Sequence, residues 1–164
     1  MLDRALKMSL TVVAISFFAA GVIARGLPQG AGYQVVKVCS LLSLAEIKKL
    51  APWEPMLDQF AKPEEEPIGT TGSSCNYPTV FIQVMAFRQS FIDTLRKNGI
   101  PLESVSGVGD EAYVRNNRDN YAELIGKVGP HSFTVQLSIG RNKTFQSEKP
   151  ALIAIGKAYA AKLR

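Results

Sequence analysis

The chain has 164 residues, of which 46% are hydrophobic, and it carries a net charge of +5. That length suits one domain with a real core, and no internal repeat, low-complexity tract or composition shift marks a second domain. One histidine and two cysteines leave a Cys/His zinc site without ligands once the cysteines pair, so no metal and no cofactor is expected.

The N-terminus carries Arg4 and Lys7 and then runs from Met8 to Ala24 without a charge. Val22-Ile23-Ala24 places small-enough residues where signal peptidase reads. Residues 1–24 therefore read as a secretory signal peptide, and the protein is expected to be exported, periplasmic or secreted. An uncleaved anchor is the alternative, because about 17 uncharged residues reach the lower limit of a membrane span. A membrane is a partner only in that case. No lipid-attachment cysteine follows the apolar run. In an oxidising compartment Cys39 and Cys75 are expected to pair, with two buried free thiols as the other reading.

Residues 25–38 hold Gly26, Pro28, Gly30 and Gly32, then alternate weakly from Tyr33 to Val38. They predict a flexible lead-in and a short edge strand, ahead of a single domain over residues 39–164. Ser43-Leu44-Ala45-Glu46 is a capping box: the serine hydroxyl takes a first-turn amide and Glu46 reaches back to the cap. The helix it starts carries Leu44, Ile47, Leu50 and Ala51 at helical spacing and stops at Pro52. A second short helix is expected over residues 53–61, with Met56, Leu57 and Phe60 inward. Pro63-Glu64-Glu65-Glu66-Pro67 reads as a solvated acidic tip, and residues 68–74 as loop. From Cys75 the chain passes through Asn76-Tyr77-Pro78 into Thr79-Val80-Phe81-Ile82-Gln83-Val84-Met85-Ala86-Phe87. This β-branched and aromatic run predicts the long, buried central strand, with Cys75 at its start.

Phe91, Ile92 and Leu95 share one face of a helix expected over residues 88–98, which Gly99 ends as its C′ residue. Strands are expected at 112–115, 121–128 and 132–139, with turns at 116–120 and Gly129-Pro130. The last strand puts Phe133, Val135, Leu137 and Ile139 on one face and Ser132, Thr134, Gln136 and Ser138 on the other, as in a one-sided antiparallel sheet. Pro150 is expected in the first turn of a final helix with a stripe of Leu152, Ile155, Tyr159 and Leu163. The pattern predicts an α+β fold: an antiparallel sheet of about four strands with helices packed on one face.

Gly107-Val108-Gly109-Asp110-Glu111-Ala112 is the most distinctive local pattern. It lacks the third glycine and the following helix of a dinucleotide loop. It reads as a tight turn with positive φ at one or both glycines, Asp110 satisfying backbone amides. The functional alternative makes Asp110 and Glu111 ligand contacts at a sheet end. His131 follows a turn and is expected to be exposed. No Gly-x-Ser-x-Gly elbow and no singled-out carboxylate pair occurs, so no catalytic residue is assigned. Arg141, Lys143 and Lys149 cluster around the start of the last helix, where cations oppose the macrodipole. They are candidates to meet an anionic envelope polymer or lipid headgroup, with a solvated loop as the alternative. Nucleic acid is not expected as a partner, since no aromatic and basic residues interleave.

Cys39-Ser40-Leu41-Leu42 before a capped helix, Cys75-Asn76-Tyr77, and Gly107-Val108-Gly109-Asp110-Glu111-Ala112-Tyr113 before a strand pair and a terminal helix together resemble a group of small exported bacterial domains. These occur mostly on actinobacterial lipoproteins and have no assigned function. The resemblance covers residues 39–163 and implies a Cys39–Cys75 pair in a compact α+β domain. It carries no catalytic residues, and this chain departs from it by lacking a lipidated cysteine. The leading expectation is an exported, non-catalytic binding or interaction domain of the cell envelope, its partner an envelope protein or anionic polymer. A secreted inhibitor of an exported enzyme is the next reading. A small carboxylate-dependent hydrolase around Asp110 and Glu111 is the third.

Overall fold

The computed structural model describes residues 34–51, 58–59, 62–117 and 120–164. The expected signal peptide, the lead-in as far as Tyr33 and most of the helix expected over 53–61 lie outside the described residues. A single 3-10 turn, Val38–Ser40, leads to α1 (Leu44–Leu50). Then come β1 (Glu64–Ile68), β2 (Gly72–Asn76), β3 (Val80–Ala86), α2 (Gln89–Lys97), β4 (Glu103–Ser104), β5 (Glu111–Asn117), β6 (Tyr121–Val128), β7 (His131–Ser138) and α3 (Phe145–Lys162). The strands make one antiparallel sheet in the order β1-β2-β3-β7-β6-β5-β4. The α+β class holds, but the sheet has seven strands, not about four.

The added strands are β1, β2 and β4. β1 occupies the acidic tip expected to be loop. It is an edge strand, where Pro67 removes no ladder bond that the sheet needs. Glu65 also holds the neighbouring segment in place. Its carboxylate accepts from the amides of Val38 and Cys39, each at 2.7 Å, and from the Ser73 hydroxyl at 2.7 Å. The side chain thereby caps the 3-10 turn, and residues 34–37 before it form no strand, although a short edge strand was expected over 33–38. β2 is small and polar, Gly-Ser-Ser-Cys-Asn, yet four of its five residues are buried. Cys75 therefore lies in β2, opposite Ile82 of β3, and does not begin the central strand. It is bonded to Cys39, and no free cysteine remains.

The main core lies on the face where Val80, Ile82 and Val84 of β3 join Phe133, Val135 and Leu137 of β7 and Ala122 and Leu124 of β6. α3 covers this face with Leu152, Ile155 and Tyr159, all buried, as the expected stripe requires. α3 begins earlier than expected. Thr144 caps it through a box with Ser147, which leaves Pro150 inside the helix and not in its first turn. Gly156 lets α3 sit close to β6, since a Cβ there would lie 2.7 Å from a Leu124 methyl. At the N-terminal end, the capping box of Ser43 and Glu46 is present as expected. Tyr77 donates to the Leu42 carbonyl at 2.8 Å, and Tyr159 donates to that of Val38 at 3.3 Å. Burial raises the pKa of both phenols, so both stay protonated donors.

The second face is not left bare. β3 sits mid-sheet and β4 at the far edge, so the chain between them must pass β7, β6 and β5. It does so across the second face, carrying α2. Ile92 and Leu95 of α2 pack with Ile125 of β6 and Tyr113 of β5. A Schellman motif ends the helix: Ile100 N–H bonds to the Leu95 carbonyl and Gly99, at φ +66, bonds to that of Arg96. Helices therefore lie on both faces, where one was expected. A nine-residue helix is about 13 Å long, while four steps across the sheet cover about 19 Å. α2 rests over β5 and β6 and leaves the second face of β3 and β7 uncovered, which opens a groove.

Candidate functional site

The groove has a volume of about 550 Å³, within the roughly 300–1,000 Å³ range of small-molecule sites. Its floor follows from the period of two in each strand. Rows across β3, β7, β6 and β5 read Met85, Ser132, Lys127, Glu111; then Gln83, Thr134, Ile125, Tyr113; then Phe81, Gln136, Glu123, Arg115. In β7 the expected alternation holds for direction: Ser132, Thr134 and Gln136 do face away from the main core. What they face is the groove. α2 and the segment before it supply the wall through Phe87, Arg88, Phe91 and Ile92.

Charges in the groove are arranged unevenly. Glu123 is buried with its carboxylate fully engaged: Arg115 donates to Oε2 and Gln136 donates to Oε1 at 2.8 Å. At the β5 edge, Tyr113 donates to Glu111, and the Arg96 guanidinium stands 3.8 Å from the same carboxylate and 5.1 Å over the Tyr113 ring. The hydrogen bond to Glu111 raises the Tyr113 pKa, burial adds to that, and Arg96 opposes it. Lys127 has its ammonium 4.5 Å over the Phe87 ring. Among the described residues, neither Lys127 nor Arg88, which follows Phe87 in the chain, forms an ion pair.

The residues singled out from sequence fall in three places. Gly107 and Gly109 both have positive φ, +73 and +63. Asp110 ties this turn to β6 and to the β6–β7 hairpin: its amide donates to the Lys127 carbonyl at 2.8 Å, and its carboxylate accepts from Gly129 N–H at 2.7 Å. Glu111 is separated from it by the strand's alternation and lines the groove. The structure thus splits the pair: Asp110 holds a turn, and Glu111 stands at a rim. Arg141, Lys143 and Lys149 are elsewhere, at the start of α3. Lys143 pairs with the buried Glu148 at 3.2 Å and Lys149 pairs with Glu103 of β4, while Arg141 is exposed without an ion-pair partner among the described residues. Two of these three cations therefore have carboxylate partners within the chain. His131 is half-buried where β7 begins, and burial lowers its pKa.

Reading by alternation alone missed Gln83, Met85, Ile125, Lys127 and Thr134. One signal was present: Tyr113 and Ile125 are apolar at positions opposite in parity to Val114 and Leu124. Apolar residues on both sides of β5 and β6 imply a second covering element.

Among the described residues, no group of three or more His, Cys, Asp or Glu is placed to hold a metal, and no helix is long and apolar enough to cross a membrane. Protein-family models, curated proteins and solved structures were compared with the chain and none matches.

Proposed function

We propose that this is an exported, non-catalytic binding domain of the cell envelope, and that it takes its ligand in the groove between α2 and the second sheet face. The observation that carries the reading is the groove itself: aromatic and aliphatic side chains on its wall, amide and hydroxyl side chains on its floor, and a volume that suits a small molecule. Its two carboxylates are already engaged by Arg115, Gln136 and Tyr113, which suits holding a ligand more than moving a proton. Phe91, on the groove wall, is 46% exposed, an apolar surface that a ligand could cover. Export is supported by the uncharged run over residues 8–24 and by the presence of a disulfide.

A neutral polarity-sensitive dye, N-phenylnaphthylamine, tests the groove. Its fluorescence should rise on mixing with the protein and saturate at one dye per chain. Thr134 is half-buried on the groove floor, so Thr134→Trp should fill the space and cut the signal at least about tenfold, while the far-ultraviolet circular dichroism stays unchanged. Equal dye binding by wild type and Thr134→Trp would remove the groove as the site.

A further inference from the structure

The groove's charge pattern selects the kind of ligand, an inference that rests on the groove being the binding site. Six charged side chains stand in or beside it: Arg88, Arg96, Arg115 and Lys127 against Glu111 and Glu123. Arg115 is matched to Glu123, and Arg96 stands by Glu111. Glu111 is also the cross-strand neighbour of Lys127, yet no ion pair joins them, and the lysine lies over Phe87 instead. Arg88 and Lys127 are left as two cations without carboxylate partners among the described residues, at one end of the groove. The apolar groups begin immediately beside them. Phe87 is adjacent to Arg88, Met85 shares a row with Lys127, and Ile125 and the α2 residues Phe91 and Ile92 continue inward. From the Lys127 row to the Glu123 row is four residues of strand, or about 13 Å.

We propose that the groove binds an anionic single-chain amphiphile, an acyl chain ending in a carboxylate. The head meets Arg88 and Lys127, and the chain lies along Met85, Phe87 and Phe91, beside the buried Ile92 and Ile125. A carboxylate there gains charge-assisted hydrogen bonds from two cationic donors that none of the described carboxylates engages. The chain covers Phe91, which is 46% exposed, and the half-buried Met85 and Phe87, apolar surface that would otherwise face water. A cationic head is repelled at the same place, so the site discriminates by charge at one end and by apolar burial along the other.

The test uses three probes with the same chain and different heads, each below its micelle concentration: dodecanoate, dodecanol and dodecyltrimethylammonium. Each is titrated into the full chain loaded with N-phenylnaphthylamine, and dye displacement is read. Dodecanoate should displace the dye at a concentration at least about tenfold below that of dodecyltrimethylammonium, a factor that one favourable contact of ordinary strength supplies. The double variant Arg88→Gln, Lys127→Gln should lose that preference and still bind the dye and dodecanol. Equal displacement by all three probes would overturn the anionic-head proposal and leave the groove as a general apolar site. Dye binding that no probe displaces would overturn the proposal as well. Failure of the dye itself to bind would instead remove the groove reading on which the proposal rests.

Discussion

Cys75→Ser is expected to lower the free energy of unfolding by about 2–5 kcal/mol. The bond joins residues 36 positions apart, and chain entropy for a loop of that size gives roughly 4 kcal/mol. The fold around it decides where the loss appears. Cys75 is fully buried in β2, and Cys39 lies in the 3-10 turn that precedes α1. That turn and the segment after it have other attachments: two amide bonds to Glu65 and the carbonyl bonds from Tyr77 and Tyr159. Without the disulfide these remain, so the sheet should persist while residues 34–51 open at lower denaturant than the rest. Equilibrium unfolding in urea, followed by amide hydrogen exchange, distinguishes the two levels. A variant as stable as wild type, with residues 34–51 still protected, would show that the hydrogen bonds alone hold the segment.

Gly109→Val is expected to cost about 2–5 kcal/mol, combining left-handed backbone strain of about 1–2 kcal/mol with overpacking of about 1–3 kcal/mol. Gly109 stands at φ +63, and a Cβ there would lie 2.3 Å from the Lys127 carbonyl oxygen and 2.8 Å from a Val128 methyl. The first contact is with backbone, which cannot step aside as a side chain can. It is also the carbonyl that accepts the Asp110 amide, so the clash pushes on the bond that joins the turn to β6. Gly107 provides the internal control. Its φ is +73, but the nearest atom to a Cβ is near the end of the flexible Lys157 side chain, at 3.8 Å. Gly107→Val should cost only the strain, about 1–2 kcal/mol. Urea midpoints of the two variants measure the difference, and equal losses would mean that the approach to Lys127 does not matter.

Most elements with a local signal could be read from the residues. The Ser43 and Glu46 cap, Gly99 after α2, the alternation of β7 and the stripe of α3 each announce themselves within a few positions. β1 and β2 did not. A strand of three glutamates and a proline contradicts strand propensity, and it forms because an edge position tolerates Pro67 and because Glu65 accepts the Val38 and Cys39 amides. β2 is built from small residues whose burial comes from neighbours far along the chain. The groove was hidden for a further reason. Alternation in β7 shows that Ser132, Thr134 and Gln136 face away from Phe133 and Val135, but not what lies opposite them. That depends on which face the connection between β3 and β4 crosses, a property of the sheet order and not of α2's own sequence. The Cys39–Cys75 pair, by contrast, was legible because a chain with two cysteines offers one pairing.

The central claim is that the second face of the sheet is the ligand site. Backbone amide shifts recorded during a titration with dodecanoate test it most directly. The largest changes are expected on Gln83, Phe87, Phe91, Ile125, Lys127 and Thr134, which line one groove, while Leu152, Ile155 and Tyr159 under α3 stay still. Changes centred on the α3 side, or around Arg141 and Lys143, would contradict it.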